Sequence, residues 1–194
     1  MFTYYKKLNI KLSKNNALFQ DFRSFDYQHV DLPNNEYDKR NTFKQVKVSL
    51  DYFKNEPILE VIEDYNLIPV CFLIESEHTY NWHRDAWRLT AFNLMLNDNP
   101  DYLVMFAKDF PIDKSVTLTN MMYTPTISMS YEPRTFYAFN TQIPHISINY
   151  GKENRYLLTL AHYKGQMVPG HLGKKSEQID FLNTMAELGA KGIV

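Results

Sequence analysis

The apolar residues between residues 67 and 163 recur in short runs of strand length. The first run, Leu67 to Ile74, is almost continuously apolar and predicts a strand that is buried on both faces. Turn-forming residues, such as those at 97–100 and 151–154, separate several of the later runs. The further candidate strands span residues 79–85, 87–96, 102–107, 115–119, 125–130, 135–139, 144–149 and 155–163. Many short strands with such turns predict a β-sandwich, a barrel or a jelly roll.

The residues before this region show a mixed pattern. Residues 3–12 alternate between polar and apolar side chains and predict an edge strand, whereas the polar residues 13–41 predict a loop with at most one short turn. Residues 43–53 fit both the period of a strand and that of a helix, and the length of this run without a turn residue favours a helix. A second helix is predicted from a cap at Asn55 to the residue before Asn66.

The residues after Lys174 return to a helical pattern. Ile179, Leu182 and Ala186 share one side of the predicted helix, and Gly189 marks its end. The chain has 194 residues, of which 44% are hydrophobic and 15% aromatic, and this is enough for one domain with a substantial core.

Composition and charge argue against several classes of function. The net charge of −1 indicates neither a nucleic-acid surface nor an anionic membrane as partner. The single Cys71 excludes an internal disulfide and a cysteine-based zinc site, and the six glycines form no phosphate-binding loop. The first residues lack the apolar stretch of a signal peptide, and no apolar segment reaches the length of a membrane span. We therefore expect a cytoplasmic protein without nucleic-acid or membrane partners.

The candidate chemistry starts at His83 and Asp85. Side chains two residues apart on a strand point to the same face, so this imidazole and this carboxylate would converge. One more histidine would complete the set of two histidines and one carboxylate that holds non-haem iron(II). Among the six histidines, His145 has the best context, because it lies in a strand-like alternation and Arg155 follows ten residues later.

The segment from His145 to Ala161 predicts a hairpin with a five-residue loop at 150–154. In that register Asn149 pairs with Arg155, Ser147 with Leu157, and His145 with Thr159. The paired face is mostly polar and carries a metal-type ligand and a cation ~10 Å apart, while the other face is apolar and would pack under the helices at 43–65 and 175–189. An ordinary half-exposed sheet would show the same division.

Together, His83, Asp85, His145 and Arg155 resemble the motif of the Fe(II)/2-oxoglutarate-dependent dioxygenase superfamily, over roughly residues 68–163. The spacing is most similar to that of small proline or aspartyl/asparaginyl hydroxylase-like members. The branch related to plant and antibiotic-biosynthesis enzymes has a serine two residues after the arginine, and here Leu157 stands in that place. The resemblance implies that the two histidines and the aspartate ligate iron and that the arginine binds the distal carboxylate of 2-oxoglutarate.

The resemblance also implies residues that help to position 2-oxoglutarate or the acidic ligand. Several small members have an arginine and an asparagine at the spacing of Arg88 and Asn93 here, and Thr159 shares the polar face with Arg155. Arg88 as a surface charge and Asn93 as an ordinary polar strand residue are equally compatible with the sequence. No side-chain acid or base is assigned beyond the metal ligands.

We therefore predict a mainly β fold, a double-stranded β-helix (jelly roll) with flanking α-helices, in a single domain over residues 1–194. Residues 1–66 would form a strand, a loop and helices packing on the core, residues 67–163 the jelly-roll core, and residues 174–190 a C-terminal helix. The predicted function is hydroxylation of an amino-acid or peptidyl side chain of a small-molecule or peptide substrate, with Fe(II), 2-oxoglutarate and O2. The alternatives are a cupin-like metalloenzyme that does not use 2-oxoglutarate and a non-catalytic jelly-roll binding module.

Overall fold

The computed structural model describes residues 4–29, 43–85, 89–98, 101–111, 114–161 and 181–194. Within these ranges the chain forms eleven strands, in two antiparallel sheets. The strands are β1 (Tyr5–Lys11), β2 (Gln28–His29), β3 (Lys44–Lys47), β4 (Ile68–Ile74), β5 (His78–His83), β6 (Thr90–Met95), β7 (Tyr102–Ala107), β8 (Thr126–Met129), β9 (Thr135–Asn140), β10 (His145–Asn149) and β11 (Arg155–Ala161). The α-helices are α1 (Leu18–Asp21), α2 (Ile58–Asp64), α3 (Leu118–Met121) and α4 (Phe181–Ala190), and short 3-10 helices occupy Phe22–Ser24 and Leu50–Phe53.

The two sheets face each other as a jelly roll. The larger sheet has the strand order β1-β9-β6-β11-β4-β3-β2, and the smaller has the order β5-β10-β7-β8. From β4 to β11 the chain passes from one sheet to the other at every connection except the hairpin between β7 and β8. This topology confirms the predicted mainly β, double-stranded β-helix fold with flanking helices.

The predicted hairpin between His145 and Ala161 is wrong. β10 pairs with β5 and β7 in the smaller sheet, whereas β11 pairs with β4 and β6 in the larger sheet. The connection at 150–154 therefore crosses between sheets, and its backbone is bound by residues outside the two strands: Tyr150 donates to the carbonyl of Asp101 at 3.0 Å, and Glu77 donates to the carbonyl of Gly151 at 3.2 Å. A Cβ at Gly151 would lie only 2.6 Å from Cβ of Asp101, so glycine is needed at this crossing.

The main hydrophobic core lies on the outer side of the larger sheet. Leu158 and Leu160 of β11 are fully buried there, together with Phe92 and Leu94 of β6. Helices α2 and α4 cover this face through buried residues that include Ile58, Val61, Ile62, Phe181 and Leu188. The predicted packing of alternate β11 residues under helices is therefore observed, although Ile146 and Ile148 belong to the other sheet.

The space between the sheets has an apolar half and a polar half. The apolar half contains Met95, Tyr102, Val104, Phe106, Met129, Tyr137, Phe139 and Ile143. The polar half contains buried side chains on β6, β10 and β11, namely Asn93, His145, Ser147, Asn149, Arg155 and Thr159. A buried polar wall of this size in a small core is costly unless its members are paired with each other or with a ligand.

Three local predictions before and within the core are wrong. Residues 43–53 form β3 and a short 3-10 helix instead of an α-helix. The sequence pattern there fitted a strand as well as a helix, and the pairing of β3 with β4 favours the strand. The candidate strand at 115–119 is replaced by α3. The 13–41 region, predicted as a loop, contains α1, a 3-10 helix and β2 in its described part, and residues 30–42 lie outside the described residues.

Helix α4 turns a different face to the core from the one predicted. Phe181, Thr184 and Leu188 are buried, whereas Leu182 is 62% exposed, and Ile179 lies outside the described residues. Gly189 lies within the helix, and Gly192, with φ of 71°, is the residue that supports the helix end. No helix in the described parts of the chain is long and apolar enough to cross a membrane.

Candidate metal centre

His83, Asp85 and His145 converge at one end of the polar half. Their ligand atoms all lie within 4.8 Å of one another. Nε2 of His83 is 3.5 Å from Oδ1 of Asp85, and Nε2 of His145 is 4.0 Å from the same oxygen. Adjacent ligand atoms around an octahedral ion with bonds of ~2.1 Å stand about 3 Å apart, so a small inward shift would close this cluster on an ion. We call these three residues the ligand cluster.

A bulge in β5 brings the two histidines together. Ser147 pairs with Tyr80, and regular pairing from there would place Trp82 opposite His145. The register shifts between the two pairs, so that His83 becomes the partner of His145, with a ring-centroid distance of 4.3 Å. One extra residue on a strand re-aims its side chains, and without it His83 would point away from the interior.

The backbone determines which ring nitrogen of each histidine carries the proton. Nδ1 of His83 donates to the carbonyl of Asn81 at 2.6 Å, and Nδ1 of His145 donates to the carbonyl of Ile143 at 2.9 Å. A carbonyl can only accept, so the proton of a neutral ring sits on Nδ1 and Nε2 keeps its lone pair. Such contacts orient histidines that bind metals and fix their tautomer.

Asp85 lies beyond the end of β5, not within a strand as predicted. Its backbone N–H donates to the carbonyl of Thr141 at 3.1 Å, and the side-chain amide of Gln142 donates to its carbonyl at 3.1 Å. The segment before β10 therefore holds the backbone of the acidic residue beside His145. The side chains of His83, Asp85 and His145 are 22%, 10% and 7% exposed, so the cluster is open to solvent mainly on the His83 side.

Arg155 is a buried cation farther along the polar half. The residue is 3% exposed, and its Nε has no hydrogen-bond partner. Its guanidinium carbon lies 4.0 Å from the ring centroid of Tyr102. In the described parts of the chain no carboxylate forms an ion pair with Arg155. A buried cation without a counter-charge is the feature expected where an anion binds.

Tyr102 was not predicted from the sequence as a site residue. It is the first residue of β7, it is 3% exposed, and its hydroxyl has no hydrogen-bond partner among the described residues. Burial raises its pKa, and the nearby positive charge of Arg155 opposes that shift only in part. The phenol is therefore protonated at neutral pH and available as a donor. A tyrosine alternating with Val104 and Phe106 has the sequence pattern of a core residue, so no sequence signal distinguished it.

The secondary candidates have different outcomes. Asn93 and Thr159 are paired neighbours on β6 and β11, both are buried, and the hydroxyl of Thr159 donates to Oδ1 of Asn93 at 2.5 Å. They form part of the polar wall that also includes Arg155. Arg88 lies outside the described residues.

Comparisons with known proteins support the fold. No protein-family model matches the chain, and no curated protein matches it significantly. Among solved structures, the epimerase SnoN from nogalamycin biosynthesis, in complex with Fe3+, alpha ketoglutarate and nogalamycin RO, is 12% identical, with a TM-score of 0.57, over 88% of this chain and 87% of that chain.

Two further structures are similar over most of their length. A prolyl hydroxylase from Trichoplax adhaerens, in complex with a hypoxia inducible factor oxygen degradation domain peptide fragment, is 13% identical, with a TM-score of 0.53, over 80% of this chain and 81% of that chain. The carbocyclase SnoK from nogalamycin biosynthesis is 11% identical, with a TM-score of 0.52, over 89% of this chain and 90% of that chain. At such identities the likeness establishes a shared fold.

Proposed function

We propose that this chain is an Fe(II)- and 2-oxoglutarate-dependent oxygenase. The observation that carries the proposal is the presence of two complementary features in one buried polar wall: a ligand cluster of two histidines and one aspartate, and a buried arginine that has no acidic partner among the residues that the structure describes. Either feature by itself would also suit a metal site or an anion site of a different kind. Together they fit a dicarboxylate that is held at one end by a metal and at the other by a guanidinium.

The ligand cluster fits iron(II) in its donor set. Two imidazole nitrogens and one carboxylate oxygen are the donors of non-haem iron sites, and they leave further coordination positions open. The carbonyls of Asn81 and Ile143 keep the two imidazoles in the tautomer that a metal requires. Iron(II) bound there would supply the oxidising chemistry, with 2-oxoglutarate and O2 as co-substrates.

Arg155 and Tyr102 would bind the distal carboxylate of 2-oxoglutarate. The planar guanidinium can donate two parallel hydrogen bonds to a carboxylate, and the Tyr102 hydroxyl can donate a third. The Tyr102 ring also keeps the guanidinium in place, because its centroid lies only 4.0 Å from the guanidinium carbon. The apolar half of the interior keeps water away from this pair, which strengthens both contacts.

We further propose hydroxylation of an amino-acid or peptidyl side chain as the reaction, with a small-molecule or peptide substrate. The similar structures include one enzyme bound to a peptide and one bound to nogalamycin RO, and an epimerase and a carbocyclase occur beside the prolyl hydroxylase. The fold therefore accommodates several outcomes of oxidation, and hydroxylation is supported by the spacing of the motif in this sequence. Asn93 and Thr159 are proposed to line the 2-oxoglutarate pocket, and Arg88 is proposed as a further 2-oxoglutarate contact.

The test is succinate formation from 2-oxoglutarate by the purified protein with Fe(II), in air, with and without a pool of amino acids and short peptides. We expect slow succinate formation without substrate, an increase with a suitable peptide or amino acid, and none for His145→Ala. Iron binding without succinate formation under any of these conditions would favour a metalloenzyme that does not use 2-oxoglutarate. No iron binding would favour a non-catalytic binding module.

A further inference from the structure

The ligand-bearing end of β5 has a second face, which points away from the metal centre. Residues along an extended segment alternate between faces, so Trp82 and Arg84 point outward where His83 and Asp85 point inward. Both outward side chains contact the connection between β7 and β8. Trp82 packs against the buried cluster of Ala107, Phe110 and Met121, and the guanidinium carbon of Arg84 lies 5.4 Å from the ring centroid of Phe110.

Arg84 also binds the backbone of that connection. Its Nη1 donates to the carbonyl of Lys114 at 3.1 Å, and its Nη2 donates to the carbonyl of Pro111 at 2.7 Å. Lys114 in turn donates its backbone N–H to the carbonyl of Pro111 at 3.2 Å, so the backbones of the two acceptor residues are bound to each other. The planar fork of an arginine suits two carbonyls held at a fixed separation, and a lysine has no such fork.

We propose that Arg84 is a positioning residue for the metal centre. By holding the backbone between His83 and Asp85 against the carbonyls of Pro111 and Lys114, it restricts the freedom of both ligands on their outward side. The inward side is restricted separately, by the backbone contacts of Asp85 to Thr141 and Gln142. Groups that orient metal ligands without touching the metal typically contribute 10- to 100-fold to metal affinity. This inference rests on the proposed function, because it assumes that the ligand cluster binds a metal.

The experiment is an anaerobic titration of the full chain with Co(II) as a spectroscopic substitute for Fe(II), followed by its visible absorption. We compare the wild type with Arg84→Ala, Arg84→Lys and Lys114→Ala. Lys114→Ala is the matched control. It removes an ammonium group that lies 5.7 Å from the centroid of the same Phe110 ring, but it keeps the backbone carbonyl that accepts from Arg84.

We expect Arg84→Ala to weaken Co(II) binding by about 10- to 100-fold, Arg84→Lys to weaken it by a smaller factor, and Lys114→Ala to leave it unchanged. Thermal unfolding followed by circular dichroism checks each fold, and if Arg84→Ala does not fold, the lysine variant decides. Affinity within twofold of the wild type in folded Arg84→Ala, or in Arg84→Lys if the alanine variant does not fold, would overturn the inference and leave the proposed function intact. Absence of Co(II) binding by the wild type would instead overturn the proposed function.

Discussion

Replacement of Arg155 separates a ligand-binding role from a structural role. A structural arginine in a core has an acidic or carbonyl partner, and its removal destabilises the fold. Arg155 is 3% exposed, and among the residues that the structure describes it lacks such a partner and is an uncompensated buried charge. Arg155→Met keeps an apolar side chain of similar length that can pack on the Tyr102 ring.

Arg155→Met should raise the stability of the ligand-free fold and lower the affinity for 2-oxoglutarate. Desolvation of one buried ion costs several kcal/mol, and the contact with Tyr102 returns about 2 kcal/mol. The substitution should therefore stabilise the ligand-free fold by roughly 2 kcal/mol, which for a chain of this size raises Tm by roughly 4–8 °C. The same substitution removes the partner of the distal carboxylate of 2-oxoglutarate. Loss of a desolvated charge-assisted pair costs ~2–5 kcal/mol, or roughly a 30- to 4,000-fold loss of affinity.

The assay combines calorimetric titration of the metal-loaded protein with 2-oxoglutarate and thermal unfolding of the metal-free protein. Arg155→Lys should retain part of the affinity, because the charge remains and the fork is lost. Arg23→Ala is the matched control, because Arg23 also lies over an aromatic ring, that of Phe22 at 5.5 Å, but is exposed. A lower Tm together with unchanged 2-oxoglutarate affinity in Arg155→Met would refute the reasoning and assign Arg155 a structural role.

Three further predictions concern the rest of the site and the fold. Alanine at any member of the ligand cluster should abolish stoichiometric iron binding, measured by metal analysis, while circular dichroism stays unchanged; retention of iron by two of the three variants would contradict the assignment. Tyr102→Phe should weaken 2-oxoglutarate binding by roughly 10- to 150-fold, for a lost hydrogen bond to a charged group, without loss of Tm; unchanged affinity would exclude the hydroxyl. Lys44 lowers the pKa of Glu75 through a 2.8 Å contact. A carboxylate whose pKa is lower in the folded than in the unfolded chain stabilises the fold at pH values above its unfolded pKa of 4.5. That stabilisation is lost as the pH falls through the folded pKa. Lys44→Met should therefore show a smaller loss of stability between neutral pH and about pH 3 than the wild type, measured by urea unfolding, and an equal loss would show that the ion pair does not couple stability to pH.

The alternation of apolar and polar residues was sufficient to predict most strands and the polar character of the site. It placed His145, Ser147, Asn149, Arg155 and Thr159 on one shared polar face, and in the structure all of them are buried. Alternation reports which side of a strand is buried but not which strand lies next to it. The five-residue connection at 150–154 is compatible with a hairpin and with a crossing between sheets, and only the non-local pairing of β10 with β5 and β7 decides between them.

Other features depended on contacts that are distant in sequence. The spacing of His83 and Asp85 suggested convergence within a regular strand, but Asp85 follows the end of β5 and a bulge is needed to turn His83 inward. Local sequence does not reveal a bulge, because its cause is the register with β10. The first half of the ambiguous 43–53 segment became β3 for a similar reason, because it pairs with β4, which is distant in sequence.

Joint binding of iron and 2-oxoglutarate is tested most directly by the absorption spectrum of the protein titrated anaerobically with Fe(II) and then with 2-oxoglutarate. Chelation of the iron by 2-oxoglutarate gives a weak visible metal-to-ligand charge-transfer band. We predict that this band appears with one equivalent of each, is absent in His145→Ala, and requires a much higher 2-oxoglutarate concentration in Arg155→Ala. An iron-loaded wild-type protein that binds 2-oxoglutarate without developing the band, or that does not bind it, would contradict the proposed function.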